Sequence, residues 1–194
     1  MKKIIFCFIF LFTIFNSQNL SATTLKDSVN HSERSEKNVL RDKFRNPLET
    51  LKFFEIEPSM TIIELSPGNG WYTEILSTYL YNQGKLIAAA YDPNLSDYAK
   101  RSREAYERKL KSKEIYNKVE IVNLFSKLSD DGSIDAVLTF RNVHNWIGED
   151  ESGVKKIFQQ AYSSLKPGGI LGIVEHRANP GTSLKDMVQW ALVD

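Results

Sequence analysis

Short apolar runs alternate along most of the chain with stretches of helical or strongly polar character. The apolar runs are compact and rich in β-branched residues, which predicts buried strands. They lie at 62–65, 84–93, 119–122, 134–140 and 170–175. Helices are predicted at 71–81, 152–165 and 183–192, and the highly charged stretch 98–116 is predicted to be an exposed helix. Strands that alternate with helices indicate βαβ units, an α/β fold and a mostly parallel sheet.

The first predicted strand runs into the turn Ser66-Pro67-Gly68-Asn69-Gly70. Pro67 cannot continue the strand because it lacks the backbone N–H and fixes φ. Gly68 and Gly70 allow backbone N–H groups to approach a ligand closely. A strand, a glycine turn and the start of a helix form a nucleotide-cofactor site in open α/β sheets. The sequence therefore predicts such a site here.

Asp92 ends the second apolar run, roughly 20 residues after the glycines. A carboxylate at this place commonly accepts hydrogen bonds from ribose hydroxyl groups. The alternative is a turn aspartate before Pro93.

A short helix is predicted over 48–54, with Pro47 in its first turn and Asn46 placed to cap it. Arg41 and Arg45 precede this helix, which could close over the ligand pocket. The alternative is that both arginines are solvated or form ion pairs with neighbouring acids.

The first 22 residues have the layout of a secretory signal peptide. Lys2 and Lys3 precede an uncharged run over 4–15, and the stretch ends on small residues at Ala22. This run is too short for a comfortable membrane span, with an uncleaved anchor as the alternative. We therefore predict cleavage after Ala22, export to the periplasm and no membrane attachment of the mature chain.

The remaining chain is predicted to be a mobile polar leader over 23–38 followed by one domain over 39–194. Cys7 is the only cysteine, so cleavage would leave no disulfide and no cysteine-based metal or redox site. The composition, 42% hydrophobic and 25% charged, is that of a folded domain. The formal net charge of +1 gives no reason to expect a nucleic-acid partner.

Four motifs resemble those of the class I S-adenosylmethionine-dependent methyltransferases. In chain order they are Glu64-Leu65-Ser66-Pro67-Gly68-Asn69-Gly70, Asp92, Asp135-Ala136-Val137-Leu138 and Leu165-Lys166-Pro167-Gly168-Gly169-Ile170-Leu171. Ser66 replaces the usual first glycine. A closer resemblance is to a subgroup of exported, uncharacterised bacterial methyltransferases, whose pattern includes Asn142-Val143-His144-Asn145-Trp146 and Val174-Glu175-His176-Arg177.

This resemblance implies a Rossmann-like, three-layer αβα fold with S-adenosylmethionine as the cofactor. The cofactor-binding residues that it implies are Glu64, Ser66, Gly68, Gly70, Tyr72, Asp92 and Asn142. The family's sixth and seventh strands form a hairpin at the sheet edge, and the sequence shows no counterpart after the fifth strand. We therefore expect this C-terminal hairpin to be absent, because the product is truncated or because a partner or an oligomer completes the sheet.

The candidate catalytic residues lie after the fourth and fifth strands, at the rim where ligands bind. They are His144, Asn145 and His176. Methyl transfer from a sulfonium mainly needs proximity and orientation, and a base helps only when the nucleophile is an alcohol or a protonated amine. Either histidine could be that base, with a structural role as its alternative. The spacing of the histidines and Glu175 matches no recognised ligand pattern, so no metal is predicted.

We predict a methyltransferase that acts on a small-molecule acceptor. One alternative is a non-catalytic exported protein that binds S-adenosylmethionine, which the Ser66 departure, the short C-terminus and the exported location would favour. The other is a nicotinamide oxidoreductase, which shares the strand–glycine–helix arrangement. It ranks last, because Thr73 stands where a third glycine would be and the Lys166-Pro167-Gly168-Gly169 motif is left unexplained.

Overall fold

A computed structural model describes residues 23–149 and 151–193, so the predicted signal peptide over 1–22 lies outside the described residues. The helices are α1 (Leu25–Val29), α2 (Glu36–Val39), α3 (Asp42–Arg45), α4 (Pro47–Phe53), α5 (Thr73–Tyr79), α6 (Asp97–Leu110), α7 (Val143–Glu149), α8 (Glu151–Ser164) and α9 (Leu184–Trp190), with a 3-10 helix at Glu114–Tyr116. The strands are β1 (Thr61–Leu65), β2 (Lys85–Ala90), β3 (Glu120–Asn123), β4 (Ile134–Phe140), β5 (Leu165–Val174), β6 (His176–Arg177) and β7 (Leu192–Val193). In this part of the chain, none of the helices has the length and apolar character that crossing a membrane requires.

Five parallel strands form the central sheet, in the order β3-β2-β1-β4-β5. In the middle strand, Ile63 of β1 lies between Ile87 of β2 and Val137 of β4. The Rossmann-like α/β fold predicted from the sequence is confirmed. Because the strand order reverses at β1 and β4, ligands are expected where the carboxyl ends of these two strands meet.

Both faces of the sheet are covered, which gives three layers. On one face, Ile62 of β1 packs with side chains of α4 and α5, among them Leu51 and Ile75. On the other face, Ile63 packs with Trp146 of α7 and with residues of α8. A strand buried on both faces is a nearly continuous apolar run, which is why β1 and β4 could be recognised in the sequence. Within the described residues, β5 is the outer strand of this sheet, and β6 and β7 pair separately.

The segment 23–38 differs from the predicted mobile leader, because it folds against the domain. It contains α1 and most of α2, and the α1 side chains Leu25 and Val29 are buried in the same core cluster as the α5 residue Leu76. Two apolar residues four positions apart give α1 a buried face despite its polar surroundings.

Arg34 fixes the same segment through buried ion pairs. Its guanidinium donates to both carboxylate oxygens of Asp42, at 2.7 and 2.9 Å. Its Nε lies 3.7 Å from Oε2 of Glu74 in α5, whose other oxygen accepts from the Ser35 hydroxyl at 2.7 Å. The charged residues that suggested mobility are therefore partly internal contacts.

Three local predictions were wrong in detail. The predicted helix 98–116 ends at Leu110, and the 3-10 helix follows it. The fifth strand, predicted over 170–175, already begins at Leu165, so the Lys166-Pro167-Gly168-Gly169 motif lies within β5, at an irregularity in its pairing with β4. Asn46 stands at the start of α4 but makes no side-chain cap, because it is also the left-handed end of α3, with φ of 43°.

Candidate functional site

The turn after β1 is built on left-handed backbone. Ser66, Gly68 and Gly70 have φ of 49°, 56° and 70°. The Gly70 N–H donates to the Pro67 carbonyl at 2.8 Å, so the turn closes on itself before α5 begins. A non-glycine residue in the left-handed region costs roughly 1–2 kcal/mol, so the conformation of Ser66 is held by its surroundings.

Two adjoining cavities, of about 390 Å³ and about 470 Å³, open on this turn. Ser66, Pro67, Gly68 and Asn142 line both of them. The rest of the first cavity is aromatic and polar, formed by Ala90, Tyr91, Tyr98, Ser102, Tyr106, Asn145 and Val188. The rest of the second contains four cationic residues and is formed by Lys37, Asn38, Arg41, Arg45, Asn69, Trp71, Phe140, Arg141 and His144. Both lie where β1 and β4 end, as the switch point of the sheet requires.

Ser66 and Asn142 present polar groups between the two cavities. The Ser66 hydroxyl is buried and has no hydrogen-bond partner within the described structure. The Nδ2 of Asn142 lies 3.1 to 3.4 Å from the Thr139 hydroxyl and from carbonyl oxygens, including that of Leu65. The amide oxygen of Asn142 is therefore the end available to a ligand. A buried hydroxyl without a partner costs about 1–3 kcal/mol, which a bound ligand would recover.

Glu64, a predicted cofactor contact, lies beneath the turn and does not line either cavity. It is buried, and its Oε2 accepts from the Thr73 hydroxyl at 2.6 Å. The Tyr106 hydroxyl lies 3.1 Å from the same Thr73 oxygen. Burial raises the pKa of Glu64 to about 7, against the lowering effect of the Thr73 hydrogen bond and the Lys109 charge. Its place in the structure is thus to hold the turn and α5.

Gly70 and Tyr72 also lie outside the cavity walls. A Cβ on Gly70 would lie 2.8 Å from the Lys109 side chain, so this glycine serves the turn and its packing on α6. The Tyr72 ring stacks on Phe140 with centroids 3.4 Å apart, and burial raises the pKa of Tyr72 to about 12. The motif therefore contains residues that line the cavities and residues that support them.

Asp92 lies just past β2, next to two residues of the first cavity, Ala90 and Tyr91. Its Oδ1 accepts from the backbone and the side chain of Asn94, both at 2.9 Å. Its Oδ2 accepts from Asn123 at 3.2 Å. The carboxylate therefore forms the turn that the alternative interpretation proposed, and it retains acceptor sites for a ligand.

His144 is the predicted catalytic residue that the structure places best. It lies at the start of α7, buried, and lines the second cavity. Its Nδ1 lies 3.0 Å from Oε2 of Glu175, whose Oε1 accepts from the Val143 N–H at 2.7 Å. An ionised carboxylate can only accept hydrogen bonds, so the Nδ1 of His144 must carry the proton that it donates to Glu175. The other ring nitrogen, Nε2, is therefore the basic one. Such a histidine can take a proton from a ligand.

The other two catalytic candidates do not line the second cavity with His144. Asn145 is exposed and lines the first cavity. His176 is exposed in β6 and lines neither cavity. A catalytic role for His176 stays a prediction, and the geometry of the two cavities does not support it. In the described part of the chain, no group of three or more His, Cys, Asp or Glu residues could hold a metal ion.

The side of the first cavity that α6 provides was not predicted from the sequence. Tyr98, Ser102 and Tyr106 line it from this highly charged helix. A weak signal was present, because the buried residues Ala99 and Tyr106 are seven positions apart, a helical repeat. Most of the other α6 positions are charged and at least partly exposed, and they obscured the buried stripe.

One known protein family matches the part of the chain that contains the glycine turn and most of the sheet. The family described as "Methyltransferase domain" matches residues 63–173. The chain belongs to the methyltransferase domain family. No curated protein matches its sequence.

Solved structures show how widely the fold of this methyltransferase domain is shared. A SAM-dependent methyltransferase from Aquifex aeolicus is 20% identical with a TM-score of 0.53, over 74% of this chain and 71% of that one. A SAM-dependent methyltransferase from Methanosarcina mazei is 14% identical with a TM-score of 0.52, over 72% and 61%. The [4+2]-cyclase SpnF is 14% identical with a TM-score of 0.53, over 77% and 56%. The chain thus spans 71% of the length of the Aquifex protein but less than two thirds of the other two.

The Aquifex and Methanosarcina proteins are SAM-dependent methyltransferases, and the residues that line the two cavities of this chain fit such a cofactor. The first cavity offers the rings of Tyr91 and Tyr98, with centroids 6.2 Å apart, for a planar base. The Ser66 hydroxyl and the Asn142 amide provide polar groups where the two cavities meet. Gly68 leaves open space where a side chain would stand.

Proposed function

We propose that the methyltransferase domain methylates a small molecule whose nucleophile carries a proton, a hydroxyl or an ammonium group. The observation that carries this proposal is the pair His144–Glu175. The Nδ1–Oε2 distance is 3.0 Å and both side chains are about nine-tenths buried. His144 lines the second cavity, which adjoins the glycine turn, and Glu175 lies behind it. Fold alone does not specify a reaction, so the proposal rests on this site.

The cofactor would lie along the turn, with Ser66, Gly68 and Asn142 as contacts and Asp92 toward the ribose. Glu64, Gly70 and Tyr72 support the turn from beneath. When bound, S-adenosylmethionine supplies an electrophilic methyl group on its sulfonium. The chain's own residues position the acceptor, which is the main requirement of an in-line displacement.

His144 would then act as the general base. Its Nε2 takes the proton of an acceptor hydroxyl as the new bond to carbon forms. From an acceptor ammonium group it takes a proton first, which frees the nitrogen lone pair for the attack. Glu175 keeps the proton on Nδ1 and stabilises the imidazolium that results. Because the second cavity is open to solvent, the proton can leave the histidine afterwards.

Labelled S-adenosylmethionine and a panel of acceptors test this role. The panel includes phenols and amines, which need a base, and thiolates, which do not. We expect His144→Gln to lower transfer to phenols and amines by about 10²–10⁴-fold and to spare transfer to thiolates. His176→Gln is the matched control, because this histidine lines neither cavity. Equal rates for His144→Gln and the wild type on every acceptor would contradict the role of His144.

We also propose that the protein is exported and cleaved after Ala22. The basic start, the apolar run and the absence of cysteine after residue 22 support this proposal. Amino-terminal sequencing of the protein recovered from the periplasm is expected to begin at Thr23. A protein that keeps residue 1 and stays in the cytoplasm would contradict it.

A further inference from the structure

We infer that the acceptor is a small organic anion, a carboxylate or a phosphate ester, whose charge is held by Arg41, Arg45 and Arg141 in the second cavity. This inference rests on the proposed function, since it names the substrate class of the same site.

The three guanidinium groups come from two parts of the chain. Arg41 and Arg45 lie at the two ends of α3, and Arg141 follows directly after β4. Lys37 of α2 adds a fourth cation to the same wall. Among the described residues that line this cavity, none is an aspartate or a glutamate. An anion entering it would meet four positive groups and no negative one from that part of the chain.

These arginines lack the acidic partners that would make them structural. In the described part of the chain, none of the three lies within ion-pair distance of a carboxylate. Asp42, the acid nearest in sequence, is bound by Arg34 at 2.7 Å. The guanidinium of Arg45 instead lies over the ring of Trp71, 4.8 Å from its centroid. The ordinary explanation for surface arginines, pairing with neighbouring acids, therefore does not apply.

The three arginine charges repel one another, which destabilises the protein when no anion is bound. Partial burial lowers the pKa of the Arg45 guanidinium, and the charges of Arg41 and Arg141 lower it further. Arg141 is also in the left-handed region, with φ of 63°, although its N–H donates a 2.8 Å hydrogen bond to Val174. Repulsion and backbone strain of this kind collect at ligand sites, where the ligand offsets their cost.

The position of the cluster relates it to the acceptor. His144 lines the same cavity, so one molecule can bring its anionic group to the arginines and its nucleophile to Nε2 of His144. A volume of about 470 Å³ is within the range of small-molecule sites. The cofactor also carries a carboxylate, and the experiment must separate that source from the acceptor.

Calorimetric titrations at constant ionic strength test the inference with benzoate, phenyl phosphate and the neutral benzamide. We expect wild-type protein to bind at least one of the two anions more tightly than benzamide. Arg45→Gln and Arg141→Gln should each weaken that anion by about tenfold or more, the size of a charge-assisted hydrogen bond. The matched control is Arg101→Gln, an exposed α6 arginine that lines neither cavity and removes the same charge. It should leave anion binding unchanged.

The same samples are titrated with S-adenosylhomocysteine and with methylthioadenosine, which lacks the amino-acid part. Unchanged binding of both in the arginine variants supports an acceptor site. Weaker binding of S-adenosylhomocysteine alone assigns the arginines to the cofactor's carboxylate and overturns the inference. Anion binding that is no tighter than that of benzamide, or that falls equally in Arg101→Gln, also overturns it. Failure of wild-type protein to bind S-adenosylhomocysteine counts against the proposed function instead.

Discussion

Glu175 lies with Oε2 3.0 Å from Nδ1 of His144, and its Oε1 accepts the Val143 N–H at 2.7 Å. One carboxylate thus caps the start of α7 and orients the imidazole beside the second cavity. The two residues are 31 positions apart, and they meet because β4 and β5 are neighbours that end at the same edge of the sheet. The charge of Glu175 is therefore coupled to the tautomer of His144.

Glu175→Gln tests this coupling while keeping the cap. The amide oxygen can still accept from Val143, but the amide nitrogen can only donate to Nδ1 of His144, which moves the imidazole proton to Nε2. We expect the stability to change little and transfer to phenols and amines to fall by about 10²–10⁴-fold. NMR of the imidazole nitrogens, assigned with His144→Gln, reads the tautomer directly. An unchanged tautomer in Glu175→Gln would show that Glu175 does not control it.

Glu64 makes stability depend on pH in the direction opposite to that of a salt-bridged acid. Its pKa is raised from 4.5 to about 7 in the folded protein by burial. The folded state therefore holds more protons than the unfolded state between these values, and stability is lost as pH rises through them. The free energy of unfolding of Glu64→Gln, compared with that of the wild type, should therefore rise by up to about 3 kcal/mol from about pH 5 to about pH 8. Urea unfolding of both proteins at the two pH values measures this difference. The same difference at both pH values would contradict the raised pKa.

Ser66→Ala should change stability and affinity in opposite directions. Removing a buried hydroxyl without a partner should stabilise the free protein by about 1 kcal/mol, and it should weaken S-adenosylhomocysteine about fivefold. Ser77→Ala is the matched control, because its hydroxyl is also buried and unpartnered but lines neither cavity. Unfolding and calorimetry give the two quantities. If both variants leave the affinity unchanged, the Ser66 hydroxyl is not a cofactor contact.

Arg34→Leu tests whether the segment 23–38 is part of the domain. The change removes the partner of Asp42, whereas Glu74 keeps Lys109 at 2.6 Å. Loss of hydrogen bonds to a charged group typically costs about 1.5–3 kcal/mol. Arg108→Leu is the control, because its pair with Glu104 is exposed and 4.0 Å long. We expect Arg34→Leu to unfold at much lower urea concentration than the control and to expose the segment to proteases. Equal stability of the two variants would contradict this and would favour the mobile leader that the sequence predicts over 23–38.

The strands could be predicted because the residues of each strand form an apolar run that is visible in the sequence. The prediction for β4 matches Ile134–Phe140 residue for residue, since a strand buried on both faces is an apolar run between turn residues. The segment 23–38 could not be predicted in this way. Its order depends on Glu74, which is 39 positions from Ser35, and single-sequence patterns do not show such contacts.

The sequence predicted where the site lies in the fold better than it predicted which residues line the cavities. Ser66, Gly68 and Asn142 do line the cavities, whereas Glu64 belongs to the same motif but packs beneath the turn. A motif requires both kinds of residue, and only packing separates them. Tyr106 was missed for the converse reason, because a charged helix hid its buried face.

Calorimetric titration of the wild-type protein with S-adenosylhomocysteine tests the central claim most directly. NAD is the control ligand, and Asp92→Asn is the variant that keeps the Asn94 turn while removing the carboxylate. The account predicts saturable binding at one site, about tenfold or more weaker in Asp92→Asn, and no saturable binding of NAD. A sample shown to be folded by circular dichroism that fails to bind S-adenosylhomocysteine, or that binds NAD more tightly, would contradict it.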